Sequence, residues 1–163
     1  MIINYQLMTK TDCNEVAQLL QANSQSQHGG LLGEFPLPKV EAMFTHSLSV
    51  VVARLDNKII GVLFSFSLMS SALPPIAHLI MTEYPSVINH NWFYGPVCID
   101  KKFRGQNILE PLYQYICTRN TGKAVAFINT DNLRSIQAHH KLGMIEIAKF
   151  NYNDTEYLLV QSH

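Results

Sequence analysis

The 163 residues carry 12 Lys plus Arg and 12 Asp plus Glu, so the formal charge is zero, and charged residues make up only 15% of the chain. No basic face is advertised, so nucleic acid is not an expected main partner, and a binding site for an anion has to be local. With 47% hydrophobic residues the chain can build a real core, and one domain over 1–163 is expected.

The cysteines are Cys13, Cys98 and Cys117. Their odd number, wide spacing and lack of a CxxC argue against a disulfide framework and a zinc site. His139 and His140 are adjacent, so on a helix they point about 100° apart and do not grip one ion easily. His28, His46, His78 and His90 are scattered, and His163 is terminal; no metal is expected. MIINYQLMTK has neither a basic n-region nor a long apolar h-region, and is not read as a signal peptide. No apolar run reaches the ~18 residues that a membrane span needs. A reducing cytoplasm, with no membrane partner, is the expected setting.

Residues 2–8 alternate partly and suit an opening strand. Thr11 or Asp12 can cap a helix with Glu15 in its first turn and an apolar stripe of Val16, Leu19 and Leu20, fading near Asn23. A Gly-, Ser- and Pro-rich loop follows, then a short helix near 38–47. SVVVAR (49–54) and IIGVLFSFSLM (59–69) read as a hairpin turning at Asp56–Asn57. The segment 70–91 is longer than a plain connection needs. Pro74–Pro75 opens a short helix in it and Pro85 is expected to stop that helix. Met69, Met81 and the Phe64/Phe66 alternation read as core or lid packing.

NWFYGPVCI (91–99) is a strand interrupted at Gly95–Pro96, where proline predicts a bulge or an opened edge. ILEPLYQYICTRN (108–120) is helical, KAVAFIN (123–129) is a strand, and NLRSIQAHHKL (132–142) is a helix ended by Gly143. A final hairpin, MIEIAKFNY and TEYLLVQ, turns at Asn153–Asp154. The order implies a mixed α/β domain.

FRGQNI (103–108) sits between a strand and a helix. Such a loop points several backbone N–H groups at one spot, and the helix dipole adds about half a positive charge there. Lys101, Lys102 and Arg104 add more. A lone glycine in a basic turn also fits a solvated turn. No GxGxxG and no GxxxxGK[ST] surrounds it, so neither a Rossmann fingerprint nor a Walker loop is present.

VCIDKKFRGQNI, followed by NLRSIQAHHKLGM, resembles the two signature segments of the GNAT superfamily of N-acetyltransferases. The family's pyrophosphate loop reads Q/R-x-x-G-x-G/A. Gly105 matches its first glycine, Lys102 replaces Gln or Arg, and Asn107 replaces Gly or Ala. In the second segment Asn132, Ser135 and Gly143 match, with His139 at the Tyr position and Met144 at the Phe position. The element order over nearly the whole chain is similar too. The resemblance implies a central mixed sheet with two splayed parallel strands, flanked by helices.

It also implies that acetyl-CoA, as co-substrate, lies between 92–99 and 123–129. The pantetheine arm pairs with the backbone of Val97 and Ile99, on a strand that also includes Cys98. The pyrophosphate rests on the backbone of Arg104, Gly105, Gln106, Asn107, Ile108 and Leu109, with Lys102 and Arg104 at the rim. Asn132 bonds the arm and Ser135 adds a contact; capping a helix is the other reading of Asn132. The N–H of Ile99 or Cys98 is expected to stabilise the oxyanion. His139 replaces the tyrosine that protonates the leaving thiolate; a histidine on a partly buried helix face, bonded to backbone, is its other reading. No base is evident; Tyr94, Glu34, His78 and Glu83 are the candidates, acting directly or through water, and a structural or substrate-contacting role is the other reading of each. Cys98 on an apolar strand reads as core rather than nucleophile, which favours direct transfer.

The acceptor is expected at 24–38 and 70–91, with Glu34, His78 and Glu83 contacting it. Their composition suggests a primary amine of a small molecule or peptide. A non-catalytic acyl-CoA-binding or sensor domain of the same fold is the alternative. Homodimers are common in this family, and no interface is identified in the sequence.

Overall fold

The computed structural model describes residues 2–163. Seven strands form one sheet in the order β1-β2-β3-β4-β5-β7-β6. They are β1 (Asn4–Leu7), β2 (Ser49–Leu55), β3 (Lys58–Phe66), β4 (Trp92–Ile99), β5 (Ala124–Asn129), β6 (Ile145–Tyr152) and β7 (Thr155–Gln161). Every neighbouring pair is antiparallel except β4–β5. Six helices accompany them: α1 (Cys13–Ala22), α2 (Leu37–Thr45), α3 (Pro75–Glu83), α4 (Pro85–Ile88), α5 (Leu109–Arg119) and α6 (Leu133–Lys141).

Strand alternation sorts the apolar side chains onto two faces. Val50, Val52, Val62, Phe64 and Phe93 join α1 residues Val16 and Leu20 and α3 residues Ile76 and Ile80 in one buried cluster. Val51, Leu63, Trp92 and Tyr94 join α5 residues Leu112 and Ile116 in the other. Phe64 and Phe66, two residues apart on one face, stack with centroids 6.1 Å apart. Both hairpins turn where expected. Asp56 and Asn57 have φ of 49° and 66°, and Asn153 and Asp154 have 48° and 62°. Two successive left-handed residues match the twist of the flanking strands, and Asn and Asp tolerate that backbone better than most.

One local expectation is corrected and two are refined. Pro85 does not merely stop the preceding helix, because it opens the one-turn α4, where its missing N–H costs nothing. Met69 is neither core nor lid: β3 ends at Phe66, and Met69 is 91% exposed in the following turn. Asp12, one of the two expected caps, does occupy the N-cap position of α1, but its side chain makes no cap bond to that helix. A short 3-10 turn, Lys10–Asp12, precedes it. There the Asp12 carboxylate accepts from the Thr9 N–H at 2.9 Å and the Thr9 hydroxyl at 3.1 Å. No helix among the described residues is long and apolar enough to cross a membrane, and all three cysteines are free.

Asp12 also accepts from Arg54 Nη2 on β2 at 2.8 Å, tying the start of α1 to the sheet. Burial pushes this carboxyl up, but the Thr9 and Arg54 hydrogen bonds outweigh it and its pKa falls below the ordinary value. A group held below its unfolded pKa contributes stability above that unfolded value and loses it as pH falls through the folded one. Urea unfolding should therefore find Asp12→Asn less stable than the native chain at pH 7, with the gap closing below about pH 4. A gap independent of pH would refute this role.

Candidate active site

The site begins where two strands part. β4 and β5 pair only at Trp92–Ala124 and Phe93–Val125. Beyond Phe93 the partner of β5 is β7 alone. On its other edge β4 stays with β3, but the register shifts between Leu63 and Ser65, so that Gly95 and Pro96 together face Phe64. Gly95 has φ of 111°, and the Gly95–Pro96 peptide is cis. An extra residue bends the bulged strand.

The ladder decides which backbone groups face the gap. The Asp100 N–H donates to the Ile60 carbonyl at 2.8 Å, toward β3. Alternate residues of a strand present their N–H and C=O to opposite edges. Ile99 and Val97 therefore direct theirs into the gap, and Cys98 directs its own toward Val62 on β3. Val97 and Ile99 present their backbone groups to the gap. Cys98 does not: its backbone belongs to the β3 ladder, and its Sγ lies 3.8 Å from the Leu19 carbonyl of α1. Its N–H is thus ruled out as an oxyanion donor in the gap.

At the open end of the gap, β4 runs through residues 100–108 into α5. Asp100 caps the short turn Lys101–Phe103 by accepting from the Lys102 N–H at 3.0 Å, and Lys58 Nζ lies 3.7 Å from its other oxygen. Gly105 and Asn107 are both left-handed, with φ of 80° and 57°. Asn107 thus reaches the conformation that glycine serves elsewhere. Among the described residues, no backbone N–H from Gly105 through Leu109 donates a hydrogen bond within the chain. Five successive amides stand free at the N-terminus of an eleven-residue helix, an arrangement suited to an anion. Ile108 is buried beneath them, while Lys102, Gly105, Gln106 and Asn107 are exposed.

Arg104 behaves differently from a rim cation. Its Nη2 donates to Asn23 Oδ1 at 2.9 Å, and Asn23 Nδ2 in turn donates to the Leu19 carbonyl at 2.9 Å. Burial lowers the Arg104 pKa, and the nearby Arg134 lowers it further. Arg134, exposed on α6, was not anticipated as a neighbour; its position two residues after Asn132 was the only hint.

Helix α6 closes the other side. Asn132 caps it, its Oδ1 accepting from the Ser135 N–H at 3.2 Å. The Asn132 amide also touches the loop after α1, since a Cβ on Gly30 would lie 2.8 Å from Asn132 Nδ2. His139 is 3% exposed and Tyr94 5%, and the two meet: Tyr94 Oη lies 2.9 Å from His139 Nε2. The Nδ1 of His139 lies 2.7 Å from the Ser135 carbonyl and 3.2 Å from the Ser135 hydroxyl. A carbonyl only accepts, so Nδ1 carries the proton and Nε2 accepts from the Tyr94 hydroxyl. The pairing joins residues 45 apart in sequence and had no signal there. Burial lowers the His139 pKa, opposed by the Ser135 carbonyl, and burial raises that of Tyr94 well above its ordinary value.

No family model and no curated protein matches this sequence. Solved structures do match. A Streptococcus mutans protein, smu.2055, superposes with a TM-score of 0.75 at 20% identity, covering 97% of each chain. An N-acetyltransferase from Staphylococcus aureus gives 0.72 at 15% identity, covering 99% of this chain and 98% of that one. The structure of AAC(6')-Ib with paromomycin and acetyl-CoA gives 0.72 at 15%, covering 99% and 93%. The chain has the fold of the GNAT acetyltransferases. Within that GNAT fold, the parting strands, the loop at 100–108 and α6 occupy the places the sequence motifs implied.

The expected acceptor residues are less gathered. Glu34 is exposed before α2, and His78 and Glu83 are exposed on α3. Among the described residues, no hydrogen bond or ion pair joins any of the three to Tyr94, His139 or the 100–108 loop. Lys39 donates to the Glu34 carbonyl at 2.7 Å and lies 4.5 Å above the Phe35 ring. No group of His, Cys, Asp and Glu positioned for a metal ion occurs among the described residues.

Burial pushes the Cys98 thiol up to about 12, so almost none of it is thiolate at neutral pH, and the thiolate is the reactive form. Mass spectrometry after brief native treatment with iodoacetamide at pH 8 should find Cys98 unmodified, with labelling only after unfolding. Rapid native alkylation would contradict the buried assignment.

Proposed function

We propose that the chain is an acetyl-CoA-dependent N-acetyltransferase that moves an acetyl group directly to a primary amine of a small molecule or peptide. One observation carries the reading. The inner edge of β4 loses its partner beyond Phe93 and runs into a loop whose amides, Gly105 to Leu109, have no partner in the chain. An amide-bearing arm fits the first as an added strand, and a pyrophosphate fits the second.

Bound acetyl-CoA supplies an acetyl group activated as a thioester. Val97 and Ile99 offer the arm N–H and C=O groups. Lys102 and Gln106 flank the phosphate cradle. Asn132 serves in two ways, because its Oδ1 caps α6 while its Nδ2 is free to donate to an arm carbonyl; Ser135 stands one turn on. The N–H groups on the gap side of β4 would stabilise a developing oxyanion. The buried Cys98 thiol, kept protonated by burial, supports direct transfer over a two-step route through that cysteine. AAC(6')-Ib, with paromomycin bound, supports a small-molecule amine as acceptor. Glu34, His78 and Glu83 would meet that amine only from the outer rim.

Thermal unfolding with acetyl-CoA tests the reading. At a hundredfold excess over Kd the native chain should gain about 2.7 kcal/mol, a rise in Tm of roughly 5–11 °C. Gly105→Val should lose that shift, since a β-branched residue resists φ of 80°. No shift at saturating acetyl-CoA would sink the proposal. A shift without release of CoA thiol to any amine would leave a non-catalytic acyl-CoA-binding domain.

A further inference from the structure

We propose that Tyr94 and His139 form a single proton relay serving as both base and acid for acetyl transfer, with the Tyr94 hydroxyl, not the imidazole, touching the reacting atoms. The inference rests on the acetyltransferase reading above and supplies the base that the sequence lacks.

Topology brings the reacting end of the substrate to Tyr94. With the pyrophosphate on Gly105 to Leu109 and the arm along Ile99 and Val97, the thioester arrives at the narrow end of the gap. That end is the Phe93–Val125 pair, and Tyr94 is the next residue of β4. Its ring lies in the buried cluster on the α5 side, edge-on to His139 with centroids 5.3 Å apart.

Hydrogen bonding then assigns the roles. The Ser135 carbonyl holds the proton of His139 on Nδ1, so Nε2 presents a lone pair to the Tyr94 hydroxyl. In this tautomer His139 cannot donate directly to a thiolate, but it can take the tyrosine's proton. As the amine nitrogen forms its bond to the acetyl carbon, its excess proton passes to Tyr94 Oη and the tyrosine's own proton passes to Nε2. The imidazolium so formed keeps its Nδ1–H on the Ser135 carbonyl. As the C–S bond breaks, both transfers reverse: Tyr94 Oη gives a proton to the sulfur and Nε2 restores the tyrosine. The products are an amide and CoA thiol, and the protein ends unchanged. Burial favours neutral His139 at rest, as a base requires. On the opposite side Tyr94 faces Tyr113 and Cys117 of α5; both are pushed up by burial, Tyr113 to about 12, so neither competes as a base at neutral pH.

The test combines spectroscopy with turnover. Imidazole proton–nitrogen NMR at pH 7 should show His139 protonated on Nδ1, with Nε2 unprotonated. An Nε2–H tautomer would overturn the relay. Saturating acetyl-CoA should shift the His139 Nε2 and Tyr94 ring resonances. If acetyl-CoA stabilises the chain in thermal unfolding yet moves neither resonance, the relay fails while the binding reading stands. If it does not stabilise the chain at all, both fall. CoA-thiol release with paromomycin, spermidine and an amino-acid amide as probes should drop about 10²–10⁴-fold in Tyr94→Phe, with acetyl-CoA stabilisation retained. His139→Gln, which still offers Tyr94 an acceptor but takes no proton, should lose as much. Undiminished turnover in either variant overturns the proposal.

Discussion

The structure depends on a failure of pairing. Once β4 leaves β5 after Phe93, every feature of the candidate site acquires its place. The cause is local: Gly95 and Pro96 together oppose Phe64, and a proline has no N–H to give to a ladder. β5 meanwhile stays paired with β7 through Asn129. The two strands that would have met side by side instead leave a wedge between them. Its tip holds Tyr94 and His139, its open side is lined by the amides and carbonyls of Val97 and Ile99, and its mouth is the loop that opens α5.

A chain with no net charge can still hold an anion if it does so with backbone. Dipoles fixed by folding need no counter-charge elsewhere and attract nothing indiscriminately, unlike a lysine-rich face. That arrangement asks for backbone conformations rather than basic side chains. Gly105 supplies one and Asn107 the other. Arg104, the most obvious cation of the motif, is spent on joining the loop to α1.

Much of the fold was legible because it rests on short-range rules. Asp56–Asn57 and Asn153–Asp154 mark hairpins by their own backbone preferences, and the interruption at Gly95–Pro96 is chemistry that proline cannot avoid. The loop at 100–108 was legible for the same reason, as a turn between a strand and a helix. What could not be read were consequences of register and long-range packing. That Cys98 faces β3 while its neighbours face the gap depends on one ladder bond, Asp100 to Ile60. That Tyr94 and His139 share a hydrogen bond depends on how α6 lies across β4. Met69 reads as apolar by type, yet it falls just past the end of a strand, where no neighbour covers it.

The segment between α1 and α2 leans on both the 100–108 loop and the start of α6. Asn23 receives Arg104 from the 100–108 loop, and Gly30 rests against the amide of Asn132. Two contacts at once leave this surface segment little freedom to drift. A side chain at position 30 collides with the asparagine that caps α6, and a change at position 23 releases the arginine. On the proposed function, divergence in acceptor choice through this segment is pleiotropic, because the same substitutions would disturb the loop and the helix proposed to hold the cofactor.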